Sequence, residues 1–453
     1  MFQLGVNGKC WRILKDWYSN AHSVVKVNQS YSESFPVNRG VKQGSVLSPT
    51  LFIAVMDALL SYLESSGQGL SVCGLDVGSS VHADDVRAAS ISIEAARTQG
   101  NLVNHFCNAN SLKLNITKTE LVQFANKKPD PTSHEIAGQE VQVQPRAKCL
   151  GTWWQYDLSP TTSVEECIHK AKRAFFALGS IGAFQGKLNP LTGRSLFETF
   201  VIPTMLYGCE TWILSESHLA LLESCQAENG KRILGLSKYH SNASTLIGLH
   251  WPSVTSRILI RKLGFLAKLL KGEEKLSAQV LRTLACEDIY NISLIQQCRT
   301  LEHLVGTNHL QSFLQDIATI NLSDIKKDIL DKDWKRTLHL ASSHRSLAIV
   351  TVASSVASSW NSFWDETLDY GVRGTRLMQS LFSTLSRPLF GNRLCPHCNG
   401  EIGNDLSFHQ YLFSIHLTTF NSQDIPHWLE EKNFPELFKL AEDISSLNFN
   451  TVT

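Results

Sequence analysis

The stretch from Ser34 to Asp85 limits the folds open to this chain more than any other. It sets a glycine-hinged loop, an apolar helix and an adjacent carboxylate pair in fixed order. The loop is Gly40-Val41-Lys42-Gln43-Gly44, and it runs into Ser48-Pro49. Gly40 and Gly44 allow positive φ and close approach of the backbone to a ligand. Gln43 offers both a donor and an acceptor, which suits the sugar or base edge of a nucleic-acid strand. Pro49 fits the first turn of a helix, with Ser48 as its N-cap. Leu51, Phe52, Val55, Met56, Leu59, Leu60 and Leu63 give that helix a buried stripe. A bare Gly-x-x-x-Gly turn is most often just the entry to a core helix. The full string GVKQGSVLSPTLF is longer and more specific.

Downstream, Leu70 to Leu75 and Gly78 to Ala83 read as two strands around a turn, with Asp84 and Asp85 at a hairpin apex. Adjacent carboxylates repel unless a cation offsets them. Hard oxygen ligands of this kind suit Mg2+. Neighbours in a strand point to opposite faces, so the turn must re-aim one of the two. Alone, an Asp-Asp dipeptide is usually a solvated turn. Its weight here comes from the loop before it.

The rest of the chain is mostly helical in pattern. Lys9 to Val27 reads as an amphipathic helix through Trp11, Leu14, Trp17 and Tyr18. Leu102, Val103, Phe106 and Cys107 form another, ending near Asn108-Ala109-Asn110, and Leu112, Leu114 and Ile116 then alternate as a strand. Pro129, Pro131 and Pro145 break Asn126 to Pro145 into a loop with a short hairpin. Val164 to Ile181 and Leu276 to Ile349 read as helical, and Leu196 to Leu222 as apolar core. On a helical wheel Arg257, Arg261, Lys268 and Lys271 fall on one stripe. That stripe is either a solvated face or a contact along nucleic-acid phosphates. Cys395-Pro396-His397-Cys398 with His409 and His416 matches a zinc pattern, although two cysteines at this spacing also occur without metal.

Composition narrows the class. Hydrophobic residues make up 43% of the 453 and charged residues 18%, which excludes a disordered chain. A net charge of +1 does not announce nucleic-acid binding, so any such contact rests on local patches. The eleven cysteines are scattered and odd in number. With no signal peptide and no apolar run long enough to cross a membrane, the expectation is an intracellular protein, nucleus or cytoplasm, without a membrane partner. No feature fixes an oligomeric state.

Four ordered strings, GVKQGSVLSPTLF, VHADDV, SLKLNITKTELVQF and CLGTWW, resemble the reverse transcriptase of non-LTR (LINE-type) retrotransposons over about Leu4 to Tyr156. The resemblance implies an α+β fold: a partial right-hand polymerase palm, then a mostly α-helical thumb and C-terminal helical region. The implied divisions are 1–156 for the palm, 157–275 for the thumb or connector, 276–390 for a helical region and 391–453 for a zinc-knuckle-like module and tail. It makes Asp84 and Asp85 ligands of Mg2+. It gives Gly40, Gln43, Gly44, Ser48 and Pro49 to template and nucleotide binding. Lys118 sits where a lysine donates a proton to leaving pyrophosphate; on its own residues it reads equally as a solvated lysine. Cys149-Leu150-Gly151 falls at the family's hairpin near the primer end. Cys395, Cys398, His409 and His416 become Zn2+ ligands, with Ser414 standing where a last cysteine is usual.

The implied function is RNA-directed DNA polymerisation by a two-metal mechanism, with an RNA template, a DNA primer and deoxynucleoside triphosphates. His82 replaces the aromatic residue usual before Ala-Asp-Asp. The family's other catalytic aspartate and the fingers lie upstream of the first helix and are not in this sequence. The expectation is therefore that the chain alone polymerises poorly or not at all. The alternative is a non-enzymatic nucleic-acid-binding remnant of a retroelement.

Overall fold

The computed structural model describes residues 5–181, 188–272, 275–289, 292–315, 321–342 and 434–446, with single positions between 364 and 383. The chain divides into two compact units, Met1–Ala147 with Glu274–Leu284, and Lys148–Glu273 with Ala285–Thr453.

The first unit opens with α1 (Gly8–Ser19), none of whose residues is buried. The helix stops at Asn20 and does not reach Val27. The β-branched Val24, Val25 and Val27 favour extended backbone, and Asn28 supplies a left-handed turn at φ 54°. Two small antiparallel ladders result. β1 (His22–Ser23) pairs with β4 (Phe35–Pro36), and β2 (Lys26–Val27) pairs with β3 (Ser30–Tyr31).

Next come α2 (Ser48–Ser65) and two hairpins. β5 (Ser71–Val72) pairs with β6 (Leu75–Asp76), and β7 (Ser79–His82) pairs with β8 (Asp85–Ala88). The two strands expected over Leu70–Leu75 and Gly78–Ala83 are therefore arms of separate hairpins, because Cys73 and Gly74 turn the chain with φ of 48° and 79°. The hairpins are stitched at their base: Leu70 N donates to Ala89 O (2.9 Å) and Val77 N to Leu70 O (2.8 Å). A Cβ on Gly78 would lie 2.4 Å from Gly69 Cα, so only glycine admits this approach.

α3 (Ile93–Ala109) starts at Ser92, whose hydroxyl accepts from Ala95 N at 3.2 Å. Met56, Leu59 and Leu63 of α2 meet Val103 and Cys107 of α3 in one core, which Val81 and Val86 of the β7–β8 hairpin also join. Leu112 and Leu114 pack on this core without forming a strand. The expected strand fails because Asn115 organises a 3-10 turn over Ile116–Lys118. Thr117 Oγ1 donates to Asn115 Oδ1 (2.7 Å) and Thr119 Oγ1 to Asn115 O (3.1 Å). Such local bonds compete with a ladder. β9 (Leu121–Val122), β10 (Ser133–Ile136) and β11 (Gln139–Gln144) close the unit in the order β10-β11-β9, the β10–β11 hairpin lying in the proline-broken segment as expected.

In the second unit, β12 (Arg146–Cys149) and β13 (Thr152–Gln155) form a hairpin. Leu150 and Gly151 turn it at φ 48° and 83°, both positive as a two-residue I′ turn requires. Helices α4 (Thr161–Ala177), α5 (Pro190–Leu196), α6 (Ile202–Met205), α7 (Glu216–Leu234), α8 (Asn242–Leu249) and α9 (Val254–Lys271) follow. A π turn, Phe197–Val201, joins α5 to α6. The predicted helical stretch beyond Leu276 is broken into α10 (Leu276–Asp288), which belongs to the first unit as far as Leu284, and α11 (Ser293–Val305), α12 (Leu310–Gln315) and α13 (Leu322–Ser342) of the second; its residues 343–349 lie outside those described. α14 (Phe434–Ser446) lies near the C-terminus.

The apolar run after Leu196 is core, as its composition predicts. Phe197, Met205, Leu206 and Cys209 are fully buried. Phe197 bridges Phe175 edge-on (6.1 Å between centroids) and Trp251 (4.5 Å). α7 packs on α4, α8 and α9, and α13 packs on α8 and α9. No helix among the described residues is long and apolar enough to cross a membrane.

Gly230 lets α7 pack closely on α8, since a Cβ there would lie 2.1 Å from Thr245 Cγ2 and 2.7 Å from Trp251 Cζ3. Gly230→Ala is expected to destabilise the protein by about 1–3 kcal/mol, because overpacking outweighs the gain in helix propensity. Urea unfolding measures it, and an unchanged midpoint would refute this close approach.

Candidate functional site

The glycine loop is tied to the helix that follows it. Gly40 and Gly44 take φ of 80° and 83°, values open to glycine at little cost. The N-cap position of α2 is Leu47, not Ser48, and no side chain caps it. Ser48 is instead the first helical residue, buried at 5% exposure. Its hydroxyl turns back and donates to Lys42 O at 2.6 Å. Ser45 N donates to the same carbonyl at 3.2 Å. Pro49 lies in the first turn, as expected. Lys42, Gln43 and Gly44 are left exposed at the helix entrance.

The carboxylates sit at the tip of the β7–β8 hairpin. Its register pairs Val81 with Val86, His82 with Asp85 and Ser80 with Arg87. Val81 and Val86 face the α2–α3 core. By the period of two, His82, Asp85, Ser80 and Arg87 share the opposite face. Asp84 stands in the two-residue turn beside Ala83, whose φ is 53°. The turn therefore frees Asp84 from strict strand alternation. Both aspartates are exposed. Among the described residues no group of three or more His, Cys, Asp or Glu forms a metal cage. A pair of exposed carboxylates still fits Mg2+, which takes one or two protein carboxylates and completes its shell with water and substrate phosphates. β7 packs on α2. One packed module thus carries Gln43 at the entrance of its helix and Asp84-Asp85 on its hairpin tip.

Arg87 was missed in the sequence. Its Nη1 reaches Ser80 Oγ at 3.5 Å. Its Nε and Nη2 are buried without a hydrogen-bond partner among the described residues. The available signal was position: two residues after Asp85 in a strand lies the same face. Lys118 ends the 3-10 turn and is exposed. No hydrogen bond or ion pair joins it to Asp84 or Asp85.

At the β12–β13 hairpin, Tyr207 Oη donates to Leu150 O at 2.9 Å. A pocket of about 380 Å3 opens beside this turn, lined by Gly151, Cys167, Lys170 and Tyr207 among others. Burial pushes the Cys167 thiol above its ordinary pKa.

The basic stripe of α9 is not displayed as the wheel suggests. Arg257 forks onto both oxygens of Glu198, with Nη1 to Oε2 at 2.8 Å. Arg261 donates to Leu206 O (3.0 Å) and pairs with Glu210 at 3.6 Å. Only Lys268 and Lys271 of the four are exposed. An arginine on a helix flank satisfies its donors wherever a carboxylate faces it, and sequence alone does not show Glu198 or Glu210 there. Lys262 was also missed. It is 1% exposed, and its Nζ donates to Trp212 O (2.6 Å) and Glu210 O (3.1 Å). Its spacing of four from Ile258 and Leu266 was the signal, since it falls on the apolar side of the wheel. Cys395, Cys398, His409 and His416 lie outside the described residues.

Residues 1–154 match the family described as Reverse transcriptase (RNA-dependent DNA polymerase). The RNA-directed DNA polymerase from mobile element jockey of Drosophila melanogaster is 24% identical over 235 residues, 50% of this chain and 25% of that protein. The chain thus spans about a quarter of the length of the curated relative it matches. It is similar to the reverse transcriptases of non-LTR, LINE-type retrotransposons, as the four strings imply.

Two outcomes follow from these contacts. Ser48→Ala removes the bond that closes the loop, with an expected cost of about 1 kcal/mol. Amide exchange at Val41 to Gly44 should speed up while α3 stays protected; unchanged exchange at the loop would contradict the tie. Lys262→Met leaves two carbonyls without their donor and is expected to cost about 1–3 kcal/mol at neutral pH. Burial lowers the folded pKa of Lys262 below the ordinary 10.5. Between those values the unfolded chain holds more protons, so native stability rises with pH. The gap to Lys262→Met should widen from pH 7 toward pH 10 in thermal unfolding.

Proposed function

We propose that this chain acts in RNA-directed DNA synthesis of the non-LTR retrotransposon type, with residues 1–154 as the polymerase segment. The observation that carries this reading is an exposed carboxylate pair on a hairpin that packs on the helix of the Gln43 loop. Asp84 and Asp85 would hold Mg2+, which would offset charge on the nucleotide phosphates and the primer oxygen. The Gly40–Gly44 loop positions the template strand and the incoming nucleotide, with Gln43 reading a sugar or base edge. Ser48 and Pro49 fix where that loop enters α2. The primer 3′-hydroxyl gives up its proton to solvent water as its oxygen attacks the α-phosphorus of a deoxynucleoside triphosphate, a P–O bond forms, and the bond to pyrophosphate breaks. Lys118 donates a proton to the departing pyrophosphate. The β12–β13 hairpin, held by Tyr207, falls in sequence where the family has a hairpin near the primer end. Lys268 and Lys271 contact backbone phosphates of the duplex, an attraction that weakens as salt rises.

A second reading, a nucleic-acid-binding module without catalysis, is favoured by the limited ligand set, two grouped carboxylates among the described residues. Extension of a DNA primer on an RNA template by the purified chain separates the two. The polymerase reading expects Mg2+-dependent extension that is weak in this chain by itself and falls further, by at least about 100-fold, in Asp84→Asn and in Asp85→Asn, as loss of a transition-state charge contact implies. Duplex binding with no extension, unaffected by either change, selects the binding module.

A further inference from the structure

Among the described residues from Gly5 to Leu47 none is buried, and the core begins at Ser48. α1 therefore has no core-facing side. The two small ladders after it belong to one hairpin. Val37 N donates to Ala21 O (2.8 Å) and Ser32 N to Val25 O (2.9 Å), which joins the β1–β4 and β2–β3 pairs. Every strand residue of this hairpin is exposed, on both of its faces. A two-stranded hairpin is marginal alone in water, and so is a helix as short as α1. Both gain stability from a surface laid against them.

The charge of the segment says what that surface is. It carries Lys9, Arg12, Lys15, Lys26, Arg39 and Lys42 against Asp16 and Glu33. All six cations are exposed, and none is in an ion pair among the described residues. The surplus is local, because residues 51–100 carry six carboxylates against Arg87 and Arg97. Lys9, Arg12 and Lys15, spaced by three, line one side of α1. These cations are unspent, unlike Arg257 and Arg261 of α9.

Aromatic faces lie beside them. Trp17 and Tyr31 are each 63% exposed and Phe35 45%. Lys26 stands opposite Tyr31 in the ladder, its Nζ 5.3 Å from the ring centroid. A dry protein interface is poor in lysine and serine, yet this hairpin shows Lys26, Ser23, Ser30 and Ser34 to water. Cations and hydroxyls meet phosphate and sugar, and open aromatic faces stack unpaired bases. That chemistry describes a single-stranded polynucleotide. The hairpin runs through Val37, Asn38 and Arg39 directly into the Gly40–Gly44 loop.

We propose that α1 and the β1–β4 hairpin form a docking surface for an unpaired RNA strand, with phosphates met by Lys9, Arg12, Lys15 and Lys26 and bases stacked on Tyr31 and Trp17. The choice of RNA rests on the proposed template. The surface itself stands whether or not Asp84 and Asp85 catalyse.

The test is fluorescence anisotropy of a short labelled oligouridylate titrated with the full chain, in EDTA and without primer or nucleotide, so that failure of Mg2+-dependent extension does not register. Saturable, salt-sensitive binding is expected. Arg12→Gln and Lys26→Gln should each lower the slope of log affinity against log salt by about 0.7, the share of one phosphate contact on a single strand. Tyr31→Ser should weaken binding about tenfold, the loss of one stacked base. Lys326→Gln, an exposed lysine of the second unit, serves as the matched control and should change neither. Circular dichroism checks that each variant folds, and all three altered side chains are exposed. No saturable binding, binding indifferent to all three variants, duplex RNA bound as tightly as the single strand, or tighter binding of the matching single-stranded DNA overturns the proposal. Self-association of the chain that Tyr31→Ser abolishes, in place of RNA binding, assigns the face to a second copy and overturns it as well.

Discussion

Val81 and Val86, opposite each other across the β7–β8 hairpin, press on the core of α2 and α3. The arrangement of the N-terminal unit around its carboxylates depends on this contact. Both valines are partly buried, so each contributes a fraction of the roughly 1.5–3 kcal/mol of a fully buried valine, and together they help hold the four-residue strand pair in place. Because side chains alternate, burying this face fixes the other. A slip of one residue would turn Asp85 and His82 into the core and the valines into water, at a cost no turn could offset. The exposure of the aspartates is therefore a consequence of apolar burial on the reverse side. Charge sits where it can meet a cation because hydrocarbon sits where it cannot.

The glycine loop obeys the same logic from the other end of the module. Its backbone needs positive φ twice, and the Ser48 hydroxyl and Ser45 N both tie it through Lys42 O. Ser48 is buried because α2 packs, and its hydroxyl must find an acceptor once out of water. The loop conformation and the helix position are thus coupled through one hydroxyl. Gln43 stays free at the surface while its neighbours are held.

In the second unit, electrostatics is arranged by burial more than by sequence pattern. Arg257 and Arg261 stand on the same wheel stripe as Lys268 and Lys271, yet the arginines are consumed by Glu198, Glu210 and a backbone carbonyl. Arginine's flat fork matches a carboxylate facing it, whereas lysine near a helix end extends into water. Lys262 shows the converse. A lysine on the apolar side is retained because two carbonyls in the turn between α6 and α7 require a donor.

Much of the fold was legible residue by residue. The stripe of α2, the end of α3 at Asn110, the proline-broken hairpin and the apolar run after Leu196 follow from periodicity and turn chemistry, which act locally. Misreadings came where local preferences competed. Val24 to Val27 left the helical pattern for extended backbone, and Asn115 replaced an expected strand with a 3-10 turn. The Asp84-Asp85 tip was legible because a turn must lie between two alternating segments. Ser48's true role was not, because its acceptor lies six residues back in a loop of unpredictable shape.

The order of the four strings, the glycine loop and the paired aspartates belong to the amino-acid sequence alone, since they need only composition and spacing along one chain. Which cations are spent, which buried polar atoms lack partners, and which face of the hairpin looks outward were decided by tertiary structure. Those properties depend on partners dozens of residues away, as Glu198 is from Arg257 and Trp334 from His250. Only packing brings such groups within hydrogen-bond or ring-contact distance.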